Sequence, residues 1–314
     1  MMIVDILFVI LPVFLVGGGG YLSVRLKYTS DTTVDGLMSF ALKVAVPALL
    51  FKAIAELDLN ANFDPGLLLS FYVGCTSTFV LGIIAGRRLF KRRPGEAVAI
   101  AFAALFSNSL LLGLPITQQA YGVEALAPNF AIISIHSPFC YLLGITTMEF
   151  ARADGRSLPA TFRAVISAMF KNSLMIGLFL GFIVNLGNIP VHHTIMDAAD
   201  MLARAALPTA LFALGGILTR YALKASLMEA SVVTVLSLIV HPAITWLLAT
   251  QAFHLPENFV RSAVITAAMA PGVNAYVFAT LYSRGEAQSA SAVLLATGLS
   301  VFSVTIWLII LGGV

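Results

Sequence analysis

An α-helix needs about 20 apolar residues to cross the hydrocarbon core of a bilayer, and ten such runs follow one another along this chain. They cover 3–24, 34–55, 66–86, 97–121, 128–150, 171–189, 194–219, 227–251, 259–282 and 287–312, with short polar breaks between them. Inside a membrane every backbone N–H and C=O must find a partner in the protein, which leaves helices and closed barrels as the only spanning structures. Runs of this length select the helix, so the expected fold class is an all-α polytopic membrane protein with ten transmembrane helices. Only 11% of the 314 residues are charged, against about 25% in soluble domains. The first run, Ile3 to Val24, is too long for a signal-peptide core. No basic n-region or small-residue cleavage site flanks it, so it is read as a retained span.

The placement of charge orients the spans. With alternate connections on opposite sides, Arg25, Lys27, Arg87, Arg88, Lys91, Arg92, Arg93, Arg152, Arg156, Arg163, Lys171, Arg220, Lys224 and Arg284 share one face. The other face holds mostly Glu56, Asp58, Asp64, Glu124, His192, His193, His254 and Glu257. The positive-inside rule makes the first face cytoplasmic and puts both termini outside. The net charge of +3 says little about nucleic acid, and no such partner is expected. Cys75 and Cys140 both fall in apolar segments and are read as packing residues, which argues against a disulfide framework or a metal site. The longest break, Ala151 to Phe170, is too short to fold alone, so function is expected within the membrane.

An internal repeat organises the spans. The segment 43-KVAVPALLF-51 in span two parallels 204-RAALPTALF-212 in span seven. The offset from Pro47 to Pro208 also pairs Glu96 with Glu257, Tyr121 with Tyr282 and Gly20 with Gly181. The expectation is two five-span units, 1–160 and 161–314. Because five is odd, the second copy enters the membrane from the opposite side, the inverted-repeat plan of secondary transporters.

Two spans are interrupted at matching places. Span four carries 108-NSLLLGLP-115, and span nine carries 271-PGVN-274. Shifted by the repeat offset, Asn108 lands on Met269, two residues before Pro271. Proline removes a donor and clashes with the preceding turn, glycine permits unwinding, and Asn or Ser can bond freed backbone groups or a ligand. These two helices are expected to cross, with a substrate site at the midplane built from Asn108, Ser109, Gly113, Pro115, Pro271, Gly272, Asn274 and Tyr276. The set is neutral and rich in donors, and helix amino ends carry partial positive charge, which suits a carboxylate better than a cation. A plain proline kink is the structural alternative.

The stretches 108-NSLLLGLPI-116 and 276-YVFATLY-282, with Leu-Gly-Gly at 214–216, resemble the auxin efflux carrier family. That family includes the plant PIN-type carriers and bacterial members described as malonate or malate transporters. The resemblance implies a fold similar to the bile-acid symporter and sodium/proton antiporter group. Spans one, two, six and seven would form a scaffold, and spans three to five and eight to ten a moving transport domain. It also implies a homodimer and, for a bacterial member, the inner membrane. Two features depart from the plant pattern. Ala275 stands where plant members have a proline, which weakens the case for auxin itself, and the long cytoplasmic loop of many plant members is absent.

Lys43 and Arg204 lie roughly 14 Å into their spans at the usual helical rise. Intramembrane charge is costly and commonly functional; the two either guide an anion or serve structure by pairing and snorkelling. His136 in span five and His241 in span eight can titrate near neutral pH and are candidates for proton coupling, with interhelical hydrogen bonding as the plainer role. Freed carbonyls at Asn108 and Asn274, with Ser107 or Ser109, are oxygen ligands of the kind sodium uses. Proton coupling, sodium coupling and uniport all stay open, and no other cofactor or metal is expected. The run 17-GGGG-20 lacks the Lys and Ser/Thr of a phosphate loop and reads as a helix-packing or hinge element. Gln118, Gln119 and Tyr121 are candidates for a cavity entrance. No HExxH, GxSxG or paired Asp appears, so no catalytic residues are expected, and an intramembrane enzyme or a sensor is the alternative to a carrier.

Overall fold

A computed structural model describes residues 3–151, 173–222 and 226–312. Arg152, Arg156, Arg163, Lys171 and Lys224 of the basic face lie outside the described residues, as do the expected repeat boundary at 160 and 161 and the start of the window 171–189. Every regular element among the described residues is helical. Those of eight residues or more are, in chain order, α1 (Ile3–Arg25), α2 (Asp31–Glu56), α3 (Pro65–Leu89), α4 (Pro94–Leu105), α5 (Leu114–Tyr121) and α6 (Val123–Ala151). There follow α7 (Ser173–Leu186), α8 (His193–Leu218), α9 (Leu227–Ala252), α10 (Glu257–Ala267), α11 (Val273–Tyr282) and α12 (Glu286–Ile310).

Seven of these, namely α1, α2, α3, α6, α8, α9 and α12, are long and apolar enough to cross a membrane. The other three sequence windows differ for identifiable reasons. The windows 97–121 and 259–282 are each cut in two, after Leu105 and after Ala267, and 171–189 begins outside the described residues. The helices also contain π turns, at Ala41–Ala45, Ala85–Leu89, Ser109–Gly113, Leu236–Val240 and Leu248–Ala252. Each inserts an extra residue that the regular i→i−4 ladder does not accommodate.

The chain divides into two compact units, Met1–Leu11 with Phe63–Phe162 and Tyr221–Val314, and Pro12–Asn62 with Arg163–Arg220. In the second unit, glycines set how closely the helices approach. A Cβ on Gly215 of α8 would meet the carbonyl of Gly17 in α1, and one on Gly20 would meet the carbonyl of Phe212. The four-glycine run is therefore a packing surface, with Gly18 and Gly19 facing open space. The Asn185 amide, on α7, donates to the carbonyls of Ile54 (2.8 Å), Ala55 (3.2 Å) and Leu57 (2.7 Å). It thereby caps the end of α2, where the last carbonyls run short of helical donors. Just past α8, Arg220 pairs with Asp35 (2.8 Å) and Asp31 (3.2 Å), and the Asp35 hydrogen bond raises the guanidinium pKa further.

In the first unit α3 packs on α4 and α9, and α12 packs on α9 and α11. The indole of Trp307 on α12 donates to the Leu238 carbonyl (2.9 Å), in one of the π turns of α9. Arg92, before α4, places two N–H groups on Glu229 of α9, a carboxylate whose side chain is 10% exposed.

The close contact of α1 with α8 leads to a directional expectation. Gly215→Ala should lower stability by about 3 kcal/mol, the upper end of ordinary overpacking, whereas Gly18→Ala should be neutral or slightly stabilising. Thermal unfolding in detergent distinguishes them, and equal midpoints would contradict the packing account.

Candidate functional site

Both helix breaks belong to the first unit, and they meet. Helix α4 ends at Leu105, where Phe106 turns to φ −94°, ψ 86°. Helix α10 ends at Ala267, and Pro271 disfavours helical geometry in the residue before it. The two unwound segments run antiparallel, with Ser107 opposite Pro271. Asn108 N–H donates to Ala270 O (2.8 Å) and Gly272 N–H donates to Phe106 O (2.9 Å). These bonds flank the Ser107–Pro271 pair, so the proline occupies a position that needs no N–H. Each break thus supplies partners for backbone groups that the other exposes, as a dry interior requires.

Beyond the crossing both chains resume as helices whose amino ends start there. Asn108 caps the first turn. Its Oδ1 accepts from Leu111 N–H (3.3 Å), and its carbonyl accepts from both Leu112 and Gly113 N–H (3.1 Å each). The residue is 6% exposed, yet its Nδ2 has no partner. A buried amide left without an acceptor costs about 1–3 kcal/mol, so this group is poised toward something that accepts. On the other strand Gly272 opens α11 without a side-chain cap. Tyr141 of α6 directs its hydroxyl at Asn274 Oδ1 at 3.5 Å, the outer limit of a hydrogen bond.

The structure therefore gathers Asn108, Ser109, Pro271, Gly272 and Asn274 at one place. A Cβ on Gly113 would lie 3.4 Å from Met269, which brings that glycine against the second break too. Pro115 sits buried in the first turn of α5, and the Tyr276 ring is 5.2 Å from Tyr221. Gln118 and Gln119 are exposed and Tyr121 half-buried. Stacked Phe102 and Phe278 (3.8 Å) and the Phe106 ring, 5.7 Å from Tyr141, supply apolar surface.

His136 and His241 are both buried and bonded to backbone carbonyls. His136 Nε2 lies 3.2 Å from Ser107 O, and His241 Nε2 lies 3.2 Å from Phe71 O. Lys43 and Arg204 belong to the other unit. Arg204 is 82% exposed at its side chain and paired with Asp200 one turn away (2.7 Å). Lys43 is exposed within a π turn.

Sequence reasoning missed Tyr141 and a second polar layer beside the crossover. Asn129 at the start of α6 donates to Thr266 of α10 (2.7 Å) and Thr117 of α5 (3.3 Å), all three wholly buried. The available signal was an amide inside an apolar run, which a membrane tolerates only when partnered. Also missed was the convergence of Cys75, His136 and Cys140, whose ligand-type atoms lie within 4.8 Å of one another.

These features define a helical integral membrane protein with a crossover of interrupted helices. The chain belongs to the membrane transport protein family that includes the auxin efflux carriers, whose model matches residues 5–308. It is 27% identical over 303 residues to a Rhizobium meliloti protein named "Putative malonate transporter", with 94% of this chain and 92% of that one aligned. It is 26% identical over 294 residues to the Escherichia coli "Uncharacterized transporter YfdV", covering 91% and 92%. A partial match, 26% identity over 211 residues, reaches the mouse "Lysosomal cholesterol signaling protein", covering 62% of this chain and 24% of that one.

Asn129→Ala should strand the Thr117 and Thr266 hydroxyls and lower stability by about 2 kcal/mol. The measurement is thermal unfolding in detergent, and an unchanged midpoint would show that the layer contributes nothing.

Proposed function

We propose that the protein is a secondary transporter that moves a small organic anion, a mono- or dicarboxylate, by alternating access. The observation that carries this reading is the crossover, where two helix amino ends and the unpaired Asn108 amide converge in a buried place built from neutral side chains. Partial positive charge at helix amino ends and a free amide donor complement a carboxylate. The name of the Rhizobium relative points to the same chemistry.

The finer architecture belongs to the same proposal. Ten spans form a 5+5 inverted repeat, with windows 97–121 and 259–282 as the crossed, broken members. Spans one, two, six and seven act as scaffold, and spans three to five and eight to ten as the transport domain. The two compact units support this division, because they split the chain along nearly those lines. The protein would reside as a lipid-embedded homodimer in a bacterial inner membrane with both termini outside. Coupling to sodium through crossover carbonyls, coupling to protons, or none at all fits this arrangement. The carbonyl bonds of both histidines favour a structural role for them. The similarity to a signalling protein offers a sensor as the second reading; it covers a smaller share of both chains than the transporter matches do.

Purified protein screened by thermal shift and solid-supported-membrane currents against malonate, malate, succinate, lactate and indole-3-acetate, with and without sodium, tests the proposal. One carboxylate should give a response. Asn108→Ala should weaken its apparent affinity about tenfold, the equivalent of one hydrogen bond to a charged group. Silence toward every anion, or a response indifferent to Asn108→Ala, would overturn the crossover as an anion site.

A further inference from the structure

The regular part of α3, Pro65–Ile84, has 20 residues and rises about 30 Å, the full thickness of a hydrocarbon core. The π turn that follows carries Arg87 and Arg88, which therefore stand where lipid headgroups begin. Lys91, at φ 51°, reverses the chain there, and Arg92 N–H closes the turn on Gly86 O (2.9 Å). Arg87 Nη1 donates to Arg92 O (2.6 Å) across the same turn. The connection thus holds five cations between Arg87 and Arg93, and Glu229 pairs with Arg92 alone. Arg87, Arg88, Lys91 and Arg93 are exposed, and among the described residues none of the four has a carboxylate partner. Held in one closed turn, these like charges cannot spread apart, and an anion placed among them relieves their repulsion.

The same helix carries a groove. Val73, Thr76, Ser77, Val80 and Leu81 line it at helical spacing, together with Phe139 of α6. Tyr72 lies beneath, its ring 4.5 Å from that of Phe139. Two hydroxyls of the lining are already spent on the protein: Ser77 donates to Val73 O (2.7 Å) and Tyr72 to Ile132 O (2.7 Å). The groove therefore offers an apolar surface. Ile84, 42% exposed, joins it to Arg88 one turn further on. From Ile84 back to Val73 the helix covers about 16 Å, close to the roughly 15 Å that the chains of one leaflet occupy, half of a 30 Å core.

We propose that this end of the first unit binds an anionic phospholipid, with its phosphate among Arg87, Arg88 and Lys91 and one acyl chain in the groove from Ile84 to Val73. Charge complementarity selects the headgroup, because basic residues beside a membrane span attract anionic lipid. A zwitterionic lipid brings its own cation into the turn and gains less. Free phosphate answers the charge but leaves the groove unfilled. The long stems of Arg87 and Arg88 can lie along the apolar helix while their heads stay at headgroup level. The site is independent of which solute the crossover carries.

Native mass spectrometry of protein equilibrated with equal amounts of phosphatidylglycerol and phosphatidylcholine of the same chain composition tests the site. The wild type should retain phosphatidylglycerol over phosphatidylcholine by about tenfold or more, a readout that needs no variant. Arg88→Gln/Lys91→Gln should lower that retention about thirtyfold, each cation near the surface being worth about fivefold. Val80→Trp, which fills the groove and keeps every cation, should lower it as well. Both variants alter exposed residues and are checked for monodisperse elution. Four results would each overturn the assignment: equal retention of the two lipids by the wild type, full retention by the double variant, displacement of the lipid by excess inorganic phosphate, or a Val80→Trp variant that keeps the lipid and changes only its oligomeric mass.

Discussion

The architecture of the first unit turns on two backbone hydrogen bonds, Asn108 N–H to Ala270 O and Gly272 N–H to Phe106 O. In water such bonds contribute little net, because the solvent offers the same partners. Inside a membrane protein that alternative is gone, and breaking one helix alone would strand several polar groups at several kcal/mol each. The only economical way to interrupt a helix there is to interrupt two and let each satisfy the other. Each break therefore depends on its partner for the backbone donors and acceptors it exposes. Pro271 fits because it sits where the antiparallel pairing demands no donor, and Gly272 supplies one of the two N–H groups that close that pairing.

Much of this was legible in the residues. Paired polar interruptions in otherwise apolar runs identified the two breaks, because Pro, Gly and Asn are the residues that unwind a helix and tolerate it. The long continuous helices were legible from hydropathy alone. What the sequence could not convey was which side chains from separate spans converge. Asn129, Thr117 and Thr266 lie in three different helices, and nothing in their local patterns links them. Cys75 and Cys140 looked like small hydrophobes in apolar runs. They are that, yet both also face the carbonyl that ends α4. The π turns were equally hidden, since one extra residue per turn leaves no compositional mark.

Lys43 and Arg204 show the same limit from the other side. Their matching repeat positions gave them equal standing in the sequence, but the structure separates them. Arg204 is held by Asp200 on its own helix, an exposed pair of the kind that contributes about 0.3–0.5 kcal/mol. That partner favours the structural reading for Arg204. Lys43 sits exposed in a π turn, a distortion that often marks functional places in helices.

A donor-rich but uncharged crossover has an energetic consequence for a carrier. If the site moves between the two sides of the membrane, the empty site carries no fixed charge and its return is insensitive to the membrane potential. The site loaded with a monoanion carries one negative charge, worth about 2.3 kcal/mol per 100 mV of potential. With the cell interior negative, that term drives the loaded site outward. At equal concentrations on the two sides a carboxylate carrier of this design runs outward, and inward movement needs either an accompanying cation or proton or an inward anion gradient of roughly fifty-fold per 100 mV. On this argument, at a given anion gradient, a cation held together with the anion would cancel the electrical term and shift the balance toward import.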